Sequence, residues 1–358
     1  MKHADTLTEA RPTATDTPVL EAVSVTKHFH VRDSVGHGAT VHAVERATVQ
    51  LFPGRIVALV GESGSGKTTL ARLLGQFYPP TDGEIRLNGD PVGKRSADKA
   101  YYRQVQLIFQ DPFGSLHPGH KIRYNLERAL RIHGHAKNRA EAREQAADLL
   151  ERVSLSPASE FLDKLPHELS GGQRQRVVIA RALAVHPSVL LGDEPISMLD
   201  VSIRLDMLNL LAKLRDEEQL ALLYITHDIA SARYLSDDIQ VMYAGQMVEG
   251  GPKDAVIQQP MHPYTTLLTG ASPDPELRTA ERPTARFDEA AMLGEPPNLI
   301  APPSGCRFHP RCPFAMDECR TTFPERTEFP DGHWAHCWMH QKGRSAELRN
   351  GNGAGQSR

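Results

Sequence analysis

The 358-residue sequence has no apolar run long enough to cross a bilayer, and its first 18 residues, polar and threonine-rich, lack the apolar centre of a signal peptide. These absences argue against a membrane-spanning or secreted chain and lead us to expect a cytosolic one. Neither charge is in excess. Forty-one Lys and Arg against 44 Asp and Glu leave a formal charge of −3, which argues against a broad basic surface for gripping nucleic acid and leaves room only for a local patch. Cysteine is missing from the first 305 residues, and all four fall between Cys306 and Cys337. In a reducing compartment such crowding points to a metal rather than to disulfides. With 40% hydrophobic residues the chain can bury the core of one large domain and a smaller second one.

What is there is organised around Val57–Leu73, VALVGESGSGKTTLARL. An apolar run, Ile56–Val60, ends at Gly61, passes through Glu62, Ser63, Gly64, Ser65, Gly66, Lys67 and Thr68, and resumes at Leu70, Leu73 and Leu74 with helical spacing. That is a strand, a phosphate loop and a helix, matching GxxxxGK[ST] in full. Its glycines let backbone N–H groups surround a polyphosphate at a helix N-terminus. Lys67 would reach the β- and γ-phosphates, and the Thr68 hydroxyl would ligate Mg²⁺.

Taken in order, residues before about Val19 have the composition of a flexible tail. LEAVSVTKHFHV, from Leu20, reads as an edge strand, and VHAVERATVQLFPG as strand structure closed by the Pro53-Gly54 turn. These form a small antiparallel lobe with Phe29 and His30 at its tip. Either ring could stack on adenine, and Phe29 could equally fill the core of the lobe. EIRLNGDPV reads as a hairpin turning at Asn88-Gly89. VQLIFQ is an apolar strand whose loop begins at Gln110, an amide placed to sense Mg²⁺ and an attacking water, or an ordinary strand-end residue. A helical insert runs from about Ile122 to Pro166, within outer bounds of about 115–175, with Leu126, Leu130, Leu149, Leu150 and Val153 on its inner face. It closes on LSGGQRQR, where Ser170 reads as an N-cap before Gly171, Gly172 and Gln173, either a second anion site or a plain helix start. VLLGDEP then ends in Asp193 and Glu194 at the carboxyl edge where open α/β sheets place ligands. Asp193 suits Mg²⁺ held through its water shell, and Glu194 suits orienting a water for in-line attack. LALLYITHD is another buried strand, ending at His227.

Gly61–Thr68, Gln110, Leu169–Arg176, LLGDEP, SMLD (Ser197–Asp200) and His227 together resemble the ATP-binding subunit of an ABC transporter over about Leu20 to Gly250. The resemblance implies a P-loop α/β ATPase core: a RecA-like parallel sheet, an antiparallel β lobe and a helical insert. It makes Phe29 the adenine-stacking aromatic, puts Lys67, Thr68 and Thr69 at the phosphates, and has Thr68, Gln110 and Asp193 serve Mg²⁺. Glu194 becomes the catalytic base and His227 the switch, with Asp200 among the nucleotide-binding residues. Ser170, Gly171, Gly172 and Gln173 then contact the γ-phosphate held by an opposite subunit. Met198 departs from the small residue usual in the SALD motif. QPMHPYTTLLTGASPDP, GEPPNL and PPSGCRFHPRCPFAMDEC resemble the C-terminal extension of oligopeptide and dipeptide importer ATPases. The expected layout is a tail at 1–18, an ATP-binding domain at 19–258, the extension at 259–341 and a tail at 342–358. Implied partners are two transmembrane permease subunits, a second ATP-binding chain (different or identical) and, indirectly, an extracytoplasmic solute-binding protein. The chain would sit peripherally on the cytoplasmic face of the plasma membrane. Related importers carry oligosaccharides, the alternative solute. A nucleic-acid ABC ATPase is the rival class, but a long coiled coil or a second cassette is missing: there are no sustained heptads and one phosphate loop.

Cys306, Cys312, Cys319 and Cys337 are spaced more widely than the paired cysteines of short zinc modules. With Pro310, Pro313 and Pro324 stiffening the loops, four thiolates could wrap a [4Fe–4S] cluster, which the resembled extension carries in some members. Zinc and unligated cysteines stay open as alternatives. Any cluster here is expected to be structural or redox-sensing, and independent of the nucleotide site.

Overall fold

The computed structural model describes residues 17–32, 38–93, 99–270 and 294–346. The expected tail at 1–18, all but its last two residues, lies outside this set, as do 271–275 of the importer-like stretch and the final part of 342–358. The antiparallel lobe contains β1 (Leu20–Arg32) and β2 (Gly38–Leu51), followed by β3 (Ile56–Val60) at the start of the parallel sheet. After helix α1 (Lys67–Leu74) the chain returns to the lobe as the hairpin β4 (Asp82–Leu87) and β5 (Asp90–Pro91), turning at Asn88 and Gly89, both at positive φ. The strand read as an edge, β1, lies between β2 and β4, so the edge belongs to β5. Alternation along β1 marks its buried face and carries no information about a second neighbour.

The parallel sheet is built from uninterrupted apolar runs because both faces are covered. After α2 (Lys99–Gln104) come β6 (Val105–Ile108) and α3 (Pro112–Ser115), then the insert helices α4 (Ile122–Ile132), α5 (Arg139–Arg152) and α6 (Ser159–Leu162). There follow α7 (Gly171–Leu183), β7 (Val189–Asp193), α8 (Val201–Glu218), β8 (Ala221–Thr226), α9 (Ile229–Leu235), β9 (Asp238–Tyr243) and β10 (Gln246–Pro252). The order across the sheet is β5-β4-β1-β2-β10-β9-β3-β8-β7-β6, with β9, β3, β8, β7 and β6 parallel. Period-2 alternation splits β3 between two cores. Ile56, Ala58 and Val60 pack with the insert and α7, while Val57 and Leu59 pack with α1 and the lobe. Since β3, β7 and β8 run the same way, their carboxyl ends deliver Gly61, Glu194 and His227 to one edge.

After α10 (Lys253–Gln258) and α11 (Pro263–Gly270), the extension rejoins the sheet. Strand β11 (Thr327–Glu328) pairs with β12 (Trp334–Ala335), and β12 pairs with β10. Beneath this junction Glu249 is fully buried, accepting from the backbone N–H groups of Met261 (2.7 Å) and His262 (2.8 Å) and from His333 Nε2 (2.6 Å). A buried carboxylate is tolerable only with such partners. Cys306, Phe308 and Cys319 belong to the same core as α4 and α7, so the extension completes the core of the main domain and does not stand apart from it. Its packing continues into the stretch read as a tail: Lys342 pairs with Glu318 at 2.8 Å, and Arg344 N donates to Met339 O at 2.8 Å.

Candidate active site

The phosphate loop holds its shape through two glycines that no other residue could replace. Gly61 has φ +153°, and a Cβ there would lie 2.1 Å from the Met242 carbonyl; Gly66 has φ +104° and would meet the Ala43 carbonyl at 2.4 Å. The loop is thereby pressed against β2 and β9. Gly66 caps α1 without a side-chain bond, which leaves the first helical N–H groups for an anion. Lys67 folds back over the loop and donates to the carbonyls of Gly61 (2.7 Å) and Glu62 (2.8 Å), with Ser65 Oγ at 3.4 Å. Burial lowers the pKa of its amine, against the opposing pull of Glu194, Asp193 and Glu62. Ser63 and Gly64 are exposed at the mouth of the loop, and Thr69 is half-buried.

The loop is joined to the end of β7 by Thr68 Oγ1, which donates to Asp193 Oδ1 at 2.9 Å. Asp193 is 3% exposed, and burial raises its carboxyl pKa against the Thr68 bond and the Arg72 and Lys67 charges. Glu194 follows in the left-handed region, φ +48°, with its N–H bonded to Ile225 O at 3.1 Å. A non-glycine residue in that conformation is strained and persists because its surroundings hold it. Here they do: Gln110 Nε2 donates to one carboxylate oxygen (3.0 Å), His227 Nδ1 meets the other (3.2 Å), and Ser197 Oγ bonds the Glu194 carbonyl (3.1 Å). Glu194 is 18% exposed at its side chain and His227 62%, so the carboxylate is recessed behind an imidazole open to solvent. Loops leaving β6, β7 and β8 thus converge on one carboxylate beside a phosphate loop, an arrangement suited to orienting water against a γ-phosphate.

The signature stretch is built separately. Ser170 caps α7 with a reciprocal box: Gln173 N donates to Ser170 Oγ (3.2 Å) and Ser170 N to Gln173 Oε1 (3.0 Å). Gly172 has a packing cause, since a Cβ there would sit 2.8 Å from Ile203 Cγ2 of α8, whereas at Gly171 there is room. No hydrogen bond among the described residues joins Ser170–Gln173 to this chain's own phosphate loop. Ser170, Asp200 and Met198 are exposed. Phe29 lies outside both cores, half-buried, edge-on to Tyr78 at 5.2 Å, which corrects the reading of it as a core filler. The Tyr78 hydroxyl reaches Thr69 O (3.4 Å), beside the loop helix, while His30 turns away to Thr40 Oγ1 (3.1 Å).

Two contributors escape sequence reasoning. Arg311 of the extension grips the Glu62 carboxylate with two bonds, 3.0 and 3.1 Å, and also donates to Tyr243 Oη at 3.1 Å. Tyr264 Oη accepts from Glu62 N at 2.8 Å, and burial pushes its phenol far up. The phosphate loop therefore leans on the extension, against the expectation that the two are independent. The four cysteines are free thiols, three buried and Cys312 half-buried. Burial pushes Cys306 up to about 12 and raises Cys312, Cys319 and Cys337, with the neighbouring thiols adding to the rise at all but Cys319. No three of their sulfurs lie within 4.8 Å of one another, whereas thiolates on one zinc ion are closer than that.

A family model described as ABC transporter matches residues 44–197, and one described as oligopeptide/dipeptide transporter, C-terminal region, matches 248–319. A probable peptide ABC transporter ATP-binding protein of Sinorhizobium fredii is 39% identical over 92% of each chain. A putative oligopeptide transport ATP-binding protein of Bacillus subtilis is 39% identical over 92% of this chain and 98% of its own. A di/tripeptide transport ATP-binding protein of Pseudomonas aeruginosa is 41% identical over 86% and 93%. Among solved structures, the dimeric bacterial ABC transporter cassette MJ0796 covers 65% of this chain and 98% of its own, with TM-score 0.57 and 27% identity.

Proposed function

This chain belongs to the ABC transporter family, in the branch of peptide-importer ATP-binding subunits, and on that premise we infer that it hydrolyses ATP to drive import of di- or oligopeptides. The observation that carries the reading is Glu194, recessed between Gln110 and His227 beside the phosphate loop. Loop amides and Lys67 take the β- and γ-phosphates. Thr68 and Asp193 form the oxygen-rich pair that would hold Mg²⁺, whose charge offsets that of the phosphates. Each Glu194 oxygen keeps a lone pair beyond the bond it already accepts, and that lone pair takes a proton of the attacking water. Phe29, on the exposed side of the lobe, offers a ring to adenine. Ser170–Gln173, remote from this chain's own loop in its bonding, serve the nucleotide of a second ATP-binding subunit. The assembly is completed by two permease subunits at the membrane, with a solute-binding protein beyond it. No helix among the described residues is long and apolar enough to cross a membrane, as suits a peripheral subunit. Purification of the full chain from membranes should bring down two polytopic proteins, and in proteoliposomes with the binding protein its ATPase should rise several-fold with peptide. Stimulation by an oligosaccharide and not by peptide would overturn the solute class.

We also propose that Cys306, Cys312, Cys319 and Cys337 are the ligands of a [4Fe–4S] group, which would supply a rigid, redox-capable cross-link where it is bound. The fit rests on four free, mostly buried thiols that raise one another's pKa without closing to zinc-sized contact. Protein purified anaerobically should be brown, with roughly four iron and four sulfide per chain. A colourless preparation holding stoichiometric zinc would overturn the assignment.

A further inference from the structure

The antiparallel lobe carries ligating side chains that the hydrolysis site does not use. The register of β1 on β2 sets His28 opposite His42, and Glu45 follows three residues on. His28 Nε2 lies 3.1 Å from Glu45 Oε2 and 3.2 Å from His42 Nδ1, and His42 Nδ1 lies 3.9 Å from the same oxygen. Among the described residues this is the one His, Cys, Asp or Glu trio whose ligand atoms all fall within 4.8 Å.

Hydrogen bonding alone does not satisfy the triangle. A neutral imidazole nitrogen holds either one proton or one lone pair, so His28 Nε2 cannot donate fully to Glu45 and to His42 at once. A cation at the centre satisfies all three atoms. Ligands about 2.0–2.1 Å from a tetrahedral ion are spaced by about 3.3 Å, close to the triangle observed. The side chains are 24%, 32% and 27% exposed, open enough for an ion to enter and for water to take the fourth position.

We propose that His28, His42 and Glu45 form a divalent transition-metal site of the Zn²⁺ class that ties β1 to β2 one residue from Phe29. Arg307 supplies the outer support, donating to Glu45 Oε2 (3.3 Å) and to the carbonyls of His42 (3.1 Å) and Ala244. Ligating carboxylates are commonly held in this way. The guanidinium charge opposes any cation, so an ion bound through charge alone, such as Mg²⁺, is excluded in favour of Zn²⁺, Ni²⁺ or Co²⁺, which two nitrogen donors select.

The test uses untagged, chelator-stripped full-length protein without nucleotide, titrated with Zn²⁺ against a chromophoric chelator. Wild type should bind one Zn²⁺ per chain more than His42→Ala or Glu45→Gln, or bind it at least about tenfold more tightly. Metal held by the cysteines is common to all three proteins and cancels in the difference. Glu45→Gln, near-isosteric and still able to accept from Arg307, decides the matter if His42→Ala folds poorly. The Co²⁺ difference spectrum, wild type minus Glu45→Gln, should show visible ligand-field bands without thiolate charge transfer. Equal Zn²⁺ stoichiometry and affinity in wild type and variants overturns the proposal.

Discussion

Glu194 sits at φ +48°, a conformation costing on the order of 1–3 kcal/mol. Bonds from Gln110, His227 and Ser197, with the Ile225 carbonyl, fix it there. The residues of this site were legible in the sequence because each follows an apolar strand: Lys67 after β3, Gln110 after β6, Asp193 and Glu194 at β7, His227 after β8. Arg311 and Tyr264 were not, because their partner Glu62 lies 249 and 202 positions away and nothing local marks the pairing. Arg311→Ala releases the Glu62 carboxylate and loosens the loop that holds the phosphates. KM for ATP should rise about three- to tenfold, equivalent to about 1 kcal/mol, with kcat moving less and Arg311→Lys recovering part of the loss. An unchanged KM would show that the clamp has no bearing on nucleotide binding.

At the scale of elements, the sequence conveyed the parallel strands well, since continuous apolar runs such as Ile56–Val60 and Ala221–Thr226 have no other use than burial on both faces. It conveyed the lobe less well. The alternation of β1 shows which face is buried and is silent about β4 lying along its far side. Helix α7 was readable as a capped helix from Ser170, while the reciprocal bond from Gln173 and the cause of Gly172, contact with Ile203, required the structure. The exposed Ser170 is free to meet a partner subunit, so Ser170→Arg should leave nucleotide affinity of the isolated chain within about twofold while lowering hydrolysis in the assembled transporter at least about tenfold. Full hydrolysis by the assembled variant would count against a site shared between subunits.

Over the whole molecule, the resemblance carried by Gln259–Pro275 and the cysteine-bearing stretch marked the extension but not its attachment. The pairing of β12 with β10 and the bond between His333 and Glu249 join residues about 85 positions apart, and Phe308 meets the core through the rings of Tyr243 and Tyr264, none of it marked locally in the sequence. Because Arg311 is the neighbour of Cys312 and bonds the phosphate loop, the cysteine region and the nucleotide site form one mechanical unit. What the whole assembly exists to do, on this account, is place one carboxylate where it activates water. The measurement that tests this most directly is ATP binding and hydrolysis by Glu194→Gln within the purified transporter. Binding should be retained, the nucleotide-bound dimer should accumulate, and steady-state hydrolysis should fall by a factor of about a hundred or more. Turnover equal to wild type would contradict the assignment of Glu194 as the residue that prepares water for attack.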